Sequence, residues 1–211
     1  MAPRAYNNEQ RAQQQLALKA RIAQAAAGLH AQRGVLATSY AEIAREAGVS
    51  LPTVYKHYPT LDALVGACSG HVASQAPQFD AQSVLQAPDL ASAVQALVKG
   101  TDRLNAYFAP WMAWREQHRV PVLAQAAGQR REQMTQLCAG VLRAHGVGAG
   151  LRAKSAAWEA LLNFEFWHRL VHGHGLTRAA VRQLLAQLLL AAAEGRPAAA
   201  SSHPRPRRSS R

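Results

Sequence analysis

Apolar residues return at helical spacing through Leu18, Ile22, Ala25 and Leu29, and the stripe stops where Gly34 offers a left-handed cap. Residues 1–15 ahead of it are polar and rich in Gln, and are expected to form a flexible arm or a frayed helix start. A second, short helix is predicted after Ser39, whose hydroxyl can cap the chain while Glu42 reaches back from three residues on; Gly48 ends it. Ser50 stands as the N-cap of a third helix with Pro52 in its first turn. Pro59 keeps that helix short, because helical geometry is disfavoured at Tyr58 before it.

A longer helix is expected from about Leu61 to Ala76, with Leu64, Ala67, Cys68 and Val72 on one side, and a loop over 77–87. Pro88, Pro110 and Pro121 mark places where new helices can start, and the glycines at 146, 148 and 150 interrupt the pattern again. Four helices fit between 88 and 173. The later of these carries Trp158, Leu161, Leu162, Phe164, Phe166, Trp167 and Leu170, apolar nearly all round, so burial on most sides is expected. The last helix has Thr177 as N-cap, a staple between Leu176 and Val181, and Gly195 past its end. Val181, Leu184, Leu185, Leu188 and Leu189 cover more than one narrow stripe. One protomer of this size has difficulty covering both helices, which points to a homodimer formed through the last two helices, with Leu185 and Leu188 in the interface.

Strand-like runs are hard to find, and the fold class is all-α. Charge changes the picture more than composition does. The net charge is +12, of which residues 1–60 carry +4, residues 61–194 carry +3 and residues 195–211 carry +5. Basic ends around a nearly balanced middle suit a nucleic-acid partner or an anionic surface. From Arg196 onward Pro, Ala, Ser and Arg dominate, and 195–211 is expected to be a disordered basic tail. Cys68 and Cys138 have no companion spacing, so buried reduced thiols are expected rather than a disulfide framework or a zinc cluster. The start has no signal-peptide core, and the apolar run Leu188–Ala193 is too short to cross a bilayer. A cytoplasmic protein without a membrane partner is expected.

The stretch from Thr38 to Tyr58, TSYAEIAREAGVSLPTVYKHY, carries the function. Ile43, Ala44, Ala47, Val49 and Val54 can form the small shared core of two helices crossing steeply, with Gly48 in the turn. This is a helix-turn-helix pattern, and more than that pattern matches. Ala25-Ala26 and Leu29 before Gly34, Thr38-Ser39, Ile43-Ala44, Ala47-Gly48-Val49-Ser50, Thr53-Val54-Tyr55, His57-Tyr58 and Leu64 together resemble the tetracycline-repressor (TetR) family of transcriptional regulators, across the first 65 or so residues. The resemblance implies an N-terminal three-helix DNA-binding unit with a helix-turn-helix at 16–60, and a C-terminal helical ligand-binding and dimerisation domain at 61–194. It implies a repressor released from a palindromic double-stranded operator by a small-molecule effector, and not an enzyme.

In that family the third helix enters the major groove and the other helix ends grip phosphates. Leu51, Pro52 and Thr53 are accordingly the candidates for base proximity, and Ser39, Ser50, Tyr55, Lys56 and His57 for phosphate contacts. Leu51 either meets thymine methyls or packs on a neighbour, Tyr58 is read as a core aromatic, and His57 is a phosphate ligand or a plain surface residue. One position departs from the pattern: where family members often have a lysine at the start of the fourth helix, this chain has Leu61. The phosphate contact of that lysine is lost, and Arg4 and Arg11 or the basic tail are the available replacements.

No string in the C-terminal half names a ligand. Phe108, Trp111, Trp114, His118, Trp158, Asn163 and Phe164 are the candidate pocket liners, since pockets are mostly apolar with a few placed polar groups; each could equally be ordinary core. Glu165, His168 and His172 share a helical face with spacing suited to a divalent metal, but histidines at a helix end also complement its dipole, and no metal or other cofactor is expected. The absence of a nucleophile elbow, a phosphate-binding glycine loop or a zinc-protease pattern leaves two rivals, a non-specific nucleic-acid binder and, further off, a helical metal-dependent enzyme.

Overall fold

The computed structural model describes residues 3–194, with side chains from residue 8. The basic tail expected over 195–211, Gly195 and the side chain of Arg4 lie outside the described residues. Among those described, ten α-helices follow one another without a strand: α1 (Pro3–Arg33), α2 (Tyr40–Glu46), α3 (Leu51–His57), α4 (Leu61–Ser74), α5 (Ala81–Leu85), α6 (Leu90–Met112), α7 (Pro121–Ala144), α8 (Leu151–Leu162), α9 (Phe164–His168) and α10 (Arg178–Glu194). A 3₁₀ turn at Glu116–His118 separates α6 from α7, and a π-helical turn at Arg169–Gly173 follows α9. None of these helices is long and apolar enough to cross a membrane.

Helix starts follow their capping chemistry. Ser39 accepts from the Glu42 N–H while the Glu42 carboxylate accepts from the Ser39 N–H, so the capping box is complete. Thr60 caps α4, Asp89 caps α6 and Thr177 accepts from the Ala180 N–H at the start of α10. Pro121 lies in the first turn of α7, where a missing N–H costs nothing. Pro110 does not open a helix; it sits inside α6 and lies only two residues before its end, so the disturbance it brings to the hydrogen-bond ladder is confined to the final turns. The expected loop over 77–87 contains α5, because Asp80 accepts from the Ser83 N–H and starts a turn there.

The helix bearing Trp158 and Trp167 is two helices. Asn163 is extended (φ −66°, ψ 159°), and its Oδ1 accepts from the Phe166 N–H at 2.8 Å, so this residue caps α9 at the break. Two main cores result. Around α1–α4 the buried residues include Ile22, Ala26, Ile43, Ala44, Ala47, Val54 and Leu64. Between α6, α7, α8, α9 and α10 they include Leu97, Leu142, Trp158, Trp167, Leu185 and Leu189. Leu185 is 2% exposed within its own protomer, so it is a core residue and not available to a partner; Leu184 and Leu188 are half-buried. Cys68 and Cys138 are buried free thiols, pushed up by burial to about 11 and about 12.

Candidate nucleic-acid interface

Gly48 turns the chain between α2 and α3 at φ +63°, a backbone that side chains rarely adopt. Val54 then anchors α3 with no exposed surface, and Tyr58, 8% exposed, closes its end by donating its hydroxyl to the Lys19 carbonyl of α1 at 3.1 Å. With Val54 and Tyr58 turned inward, the rest of α3 faces out. Leu51 is 38% and Tyr55 52% exposed, Ser50, Pro52 and Lys56 are exposed, and Thr53 and His57 are half-buried. The Ser50 and Thr53 hydroxyls pair at 2.8 Å, which leaves the first N–H groups of α3 without a side-chain cap. Ser39 is exposed, but its hydroxyl is already bonded to Glu42. Leu61, at the start of α4, is 36% exposed.

Three features of this unit were not singled out from sequence. Tyr40 lies against Tyr55, ring centroids 4.7 Å apart, and fixes that side chain on the outer face of α3. Arg33 pairs with Glu42 at 2.5 Å and ties the end of α1 to α2. His30, 2% exposed, lies with Nδ1 3.4 Å from the Cys68 thiol, and burial drives its pKa down to about 4 against a smaller upward pull from Glu116. Helical spacing marks none of these, since each partner comes from a different helix.

The unit is fastened to the rest of the chain at one end of α6. Trp111 donates its indole N–H to the Ala27 carbonyl at 2.8 Å, and Trp114 donates to the Ala31 carbonyl at 3.2 Å. Arg115 then adopts a left-handed backbone (φ 54°), and the next residue, Glu116, accepts from the Val35 and Leu36 N–H groups at 2.6 and 3.0 Å. A Cβ on Gly34 would stand 2.7 Å from a Glu116 carboxylate oxygen and would push that carboxylate aside, and the φ of +82° favours glycine there.

The candidate pocket liners do not converge. Phe108 and Trp111 pack on the α1–α4 core, Trp114 is 43% exposed, and His118 is exposed. Trp158 is wholly buried with its N–H on the Leu189 carbonyl at 2.9 Å, Phe164 packs beside Trp167, and Asn163 is a cap. A groove of about 720 Å³ lies elsewhere, between α6 and α10. His168 and His172 stack 4.6 Å apart, but Glu165 bonds to Gln117 at 3.0 Å, and among the described residues no three His, Cys, Asp or Glu side chains are grouped to hold a metal ion.

Residues 22–68, the span from the core of α1 to the middle of α4, match the family model "Bacterial regulatory proteins, tetR family". No curated protein sequence matches the chain. Among solved structures, the chain is similar to a putative transcriptional regulator from Saccharomonospora viridis in complex with choline, at 23% identity over 82% of this chain and 95% of that one, TM-score 0.64. It is similar to a Rhodococcus transcriptional regulator at 19% identity over 84% and 96%, TM-score 0.62. It is also similar to NalD of Pseudomonas aeruginosa, the secondary repressor of the MexAB-OprM multidrug efflux pump, at 19% identity over 84% and 97%, TM-score 0.61. Residues 22–68 therefore match the model of the tetR family of bacterial regulatory proteins, and they lie at the N-terminal end of a fold that the chain shares with solved transcriptional regulators.

Proposed function

We propose that this protein is a ligand-responsive repressor, a homodimer that holds a palindromic operator and lets it go when a small molecule binds the C-terminal helices. The observation that carries the reading is the outer face of α3, where Leu51, Pro52, Thr53, Tyr55 and Lys56 project from a helix pinned underneath by Val54. Leu51, Pro52 and Thr53, at the start of the helix, are assigned to base edges. Ser50, Tyr55, Lys56 and His57, with Ser39 at the start of α2, are assigned to phosphates. Leu51 can read only through apolar contact, so its exposure favours a thymine methyl as its partner.

Dimerisation is assigned to the outer sides of the last two long helices, α8 and α10, where Leu161, Leu184 and Leu188 remain half-buried in one protomer. A repressor among the structural relatives and a choline complex in another support control by a small molecule. The route for that control is α6. Its last turns and Glu116 grip α1 and the α1–α2 turn, so a shift of α6 changes the spacing of two recognition helices that must meet major grooves about 34 Å apart. Emptying the operator requires the effector to prefer the released state by on the order of 5 kcal/mol.

The test is titration of the full chain against DNA flanking its own gene, in competition with bulk DNA at physiological salt. One palindromic fragment should be retained at competitor levels that strip the others. Equal loss from every fragment would instead identify a charge-driven, non-specific binder.

A further inference from the structure

The α6–α10 groove is lined by Lys99, Arg103, Arg178 and Arg182 and by a single carboxylate, Asp102. Asp102 is 2% exposed and fully engaged. It accepts from the Trp167 indole at 2.9 Å, from Arg178 Nε and Nη2 at 3.1 and 2.7 Å, and from Arg182 Nη1 at 3.0 Å. A guanidinium has five N–H donors, and this arrangement leaves Arg178 Nη1 and Arg182 Nε and Nη2 without an acceptor among the described residues. Both arginine side chains are 40% or more exposed, so those donors face the groove and not the core. Lys99 and Arg103 are exposed and enter no ion pair among the described residues.

The buried Asp102 therefore acts as a positioning residue: it fixes two guanidinium planes whose remaining donors have no acceptor among the described residues. Further along the same two helices the lining becomes apolar at Val98, Ala186 and Leu190, with Gln95, Gln183 and Gln187 beside them. A volume of about 720 Å³ lies within the range of small-molecule sites. The geometry points to an amphipathic organic anion as the ligand of this groove, a carboxylate or phosphate head on an apolar body, with its head on Arg178, Arg182, Lys99 and Arg103. This deepens the regulatory reading and rests on it only for the consequence of binding. Asp102 and Trp111 are nine residues apart on α6, about 14 Å along the axis, so an anion seated here bears on the helix that grips α1.

Calorimetric titration of the full chain tests the site without DNA, using octanoate and octyl phosphate as probes. Their counterparts are neutral 1-octanol, cationic octyltrimethylammonium, and inorganic phosphate as a head group without a tail. At least one of the two amphipathic anions should bind at least about tenfold more tightly than any of these three. Replacing the two exposed cations together, Lys99→Gln with Arg103→Gln, should weaken that binding by about tenfold without moving the thermal midpoint, and Arg182→Gln should weaken it again. Octanol or octyltrimethylammonium binding as well as the tighter of the two anions, phosphate binding as well as that anion, silence from both anions, or anion binding unmoved in the double variant would each overturn the assignment. Operator binding is read separately, so failure of the groove leaves the DNA reading standing, and the reverse holds.

Discussion

Around α1–α4 helices meet through alanines, with Ala23, Ala26, Ala27, Ala44 and Ala47 all buried, whereas between α6, α8 and α10 they meet through Trp158, Trp167 and leucines. Small residues bring backbones close and fix crossing angles, which suits a unit whose product is the position of one exposed helix. Large residues hold helices farther apart and fill the space between them. The same contrast runs through the buried polar groups. His30 in the first core stays neutral and has no partner for Nε2 among the described residues, while Asp102 in the second stays charged and gathers two arginines and an indole.

The contrast breaks first at the packing. Trp158→Ala should cost about 4 kcal/mol, from lost apolar burial, an unfilled cavity and a Leu189 carbonyl deprived of its indole donor. The α1–α4 unit should be more sensitive to enlargement than to truncation: Ala26→Leu is expected to cost about 2 kcal/mol by overpacking, and Ala26→Gly only about 1. Denaturant midpoints of the three variants check the order. An Ala26→Leu protein as stable as the parent would show that the first core has room, and that its alanines do not set the helix spacing.

Acid should separate the two regions next. The unfolded chain protonates His30 near its ordinary value of 6.5, but the folded chain resists until about 4, so stability is complete above 6.5 and is lost as pH falls toward 4. Between pH 7 and 5 the loss should be about 2 kcal/mol. At Asp102 burial works against the charge, but the bonds from Arg178, Trp167 and Arg182 outweigh it and hold the carboxyl below the usual carboxylate range. That contribution is intact above the ordinary value and is lost only at lower pH. Amide protection factors, corrected for the intrinsic pH dependence of exchange, should therefore fall at pH 5 in α1 and α4 before α6 and α10, and His30→Gln should flatten the dependence. A uniform loss of protection would remove His30 as its source.

The joint between the regions comes third. Glu116→Gln keeps the shape of the side chain but gives up charge-assisted bonds to the Val35 and Leu36 N–H groups, at a cost of about 1 kcal/mol. Its larger effect should be on coupling: effector and operator should influence each other less in this variant than in the parent, while each still binds alone. Undiminished coupling would move the route of control away from Glu116, with α4, the helix joining the two halves, as the remaining lever.

Legibility in the sequence divides along the same line. The capping box at Ser39 and Glu42, the turn at Gly48 and the inward Val54 are all short-range, so their spacing states them directly. The groove could not be read that way. Asp102 is 65 residues from Trp167 and 76 and 80 residues from Arg178 and Arg182, and no periodicity connects them. Large aromatics were the plausible pocket liners, yet Trp158 and Phe164 fill the core and Trp111 grips α1, because indoles with an N–H near a carbonyl are as useful to packing as to a ligand. The break at Asn163 was hidden for a related reason. Apolar residues on both sides continue a helical pattern, and only the cap marks the discontinuity.

The smallest expected change in stability belongs to the outer face of α3, and it carries the sharpest functional contrast. Lys56 is exposed and in no ion pair among the described residues, so Lys56→Ala should leave the denaturant midpoint within about 0.5 kcal/mol of the parent. If Lys56 meets a phosphate, the variant should bind all sequences more weakly by a similar factor, with a salt dependence shallower by about one contact. Thr53→Ala should act differently. Its hydroxyl is bonded to Ser50 in the free protein, so removing it costs little in the fold, but any base edge it meets loses a hydrogen-bond partner. Operator affinity should then fall by about 1 to 3 kcal/mol while binding to unrelated DNA stays level. The two outcomes cannot be exchanged: selectivity lost at Lys56 and kept at Thr53 would mean that α3 lies in the groove with its other end toward the bases.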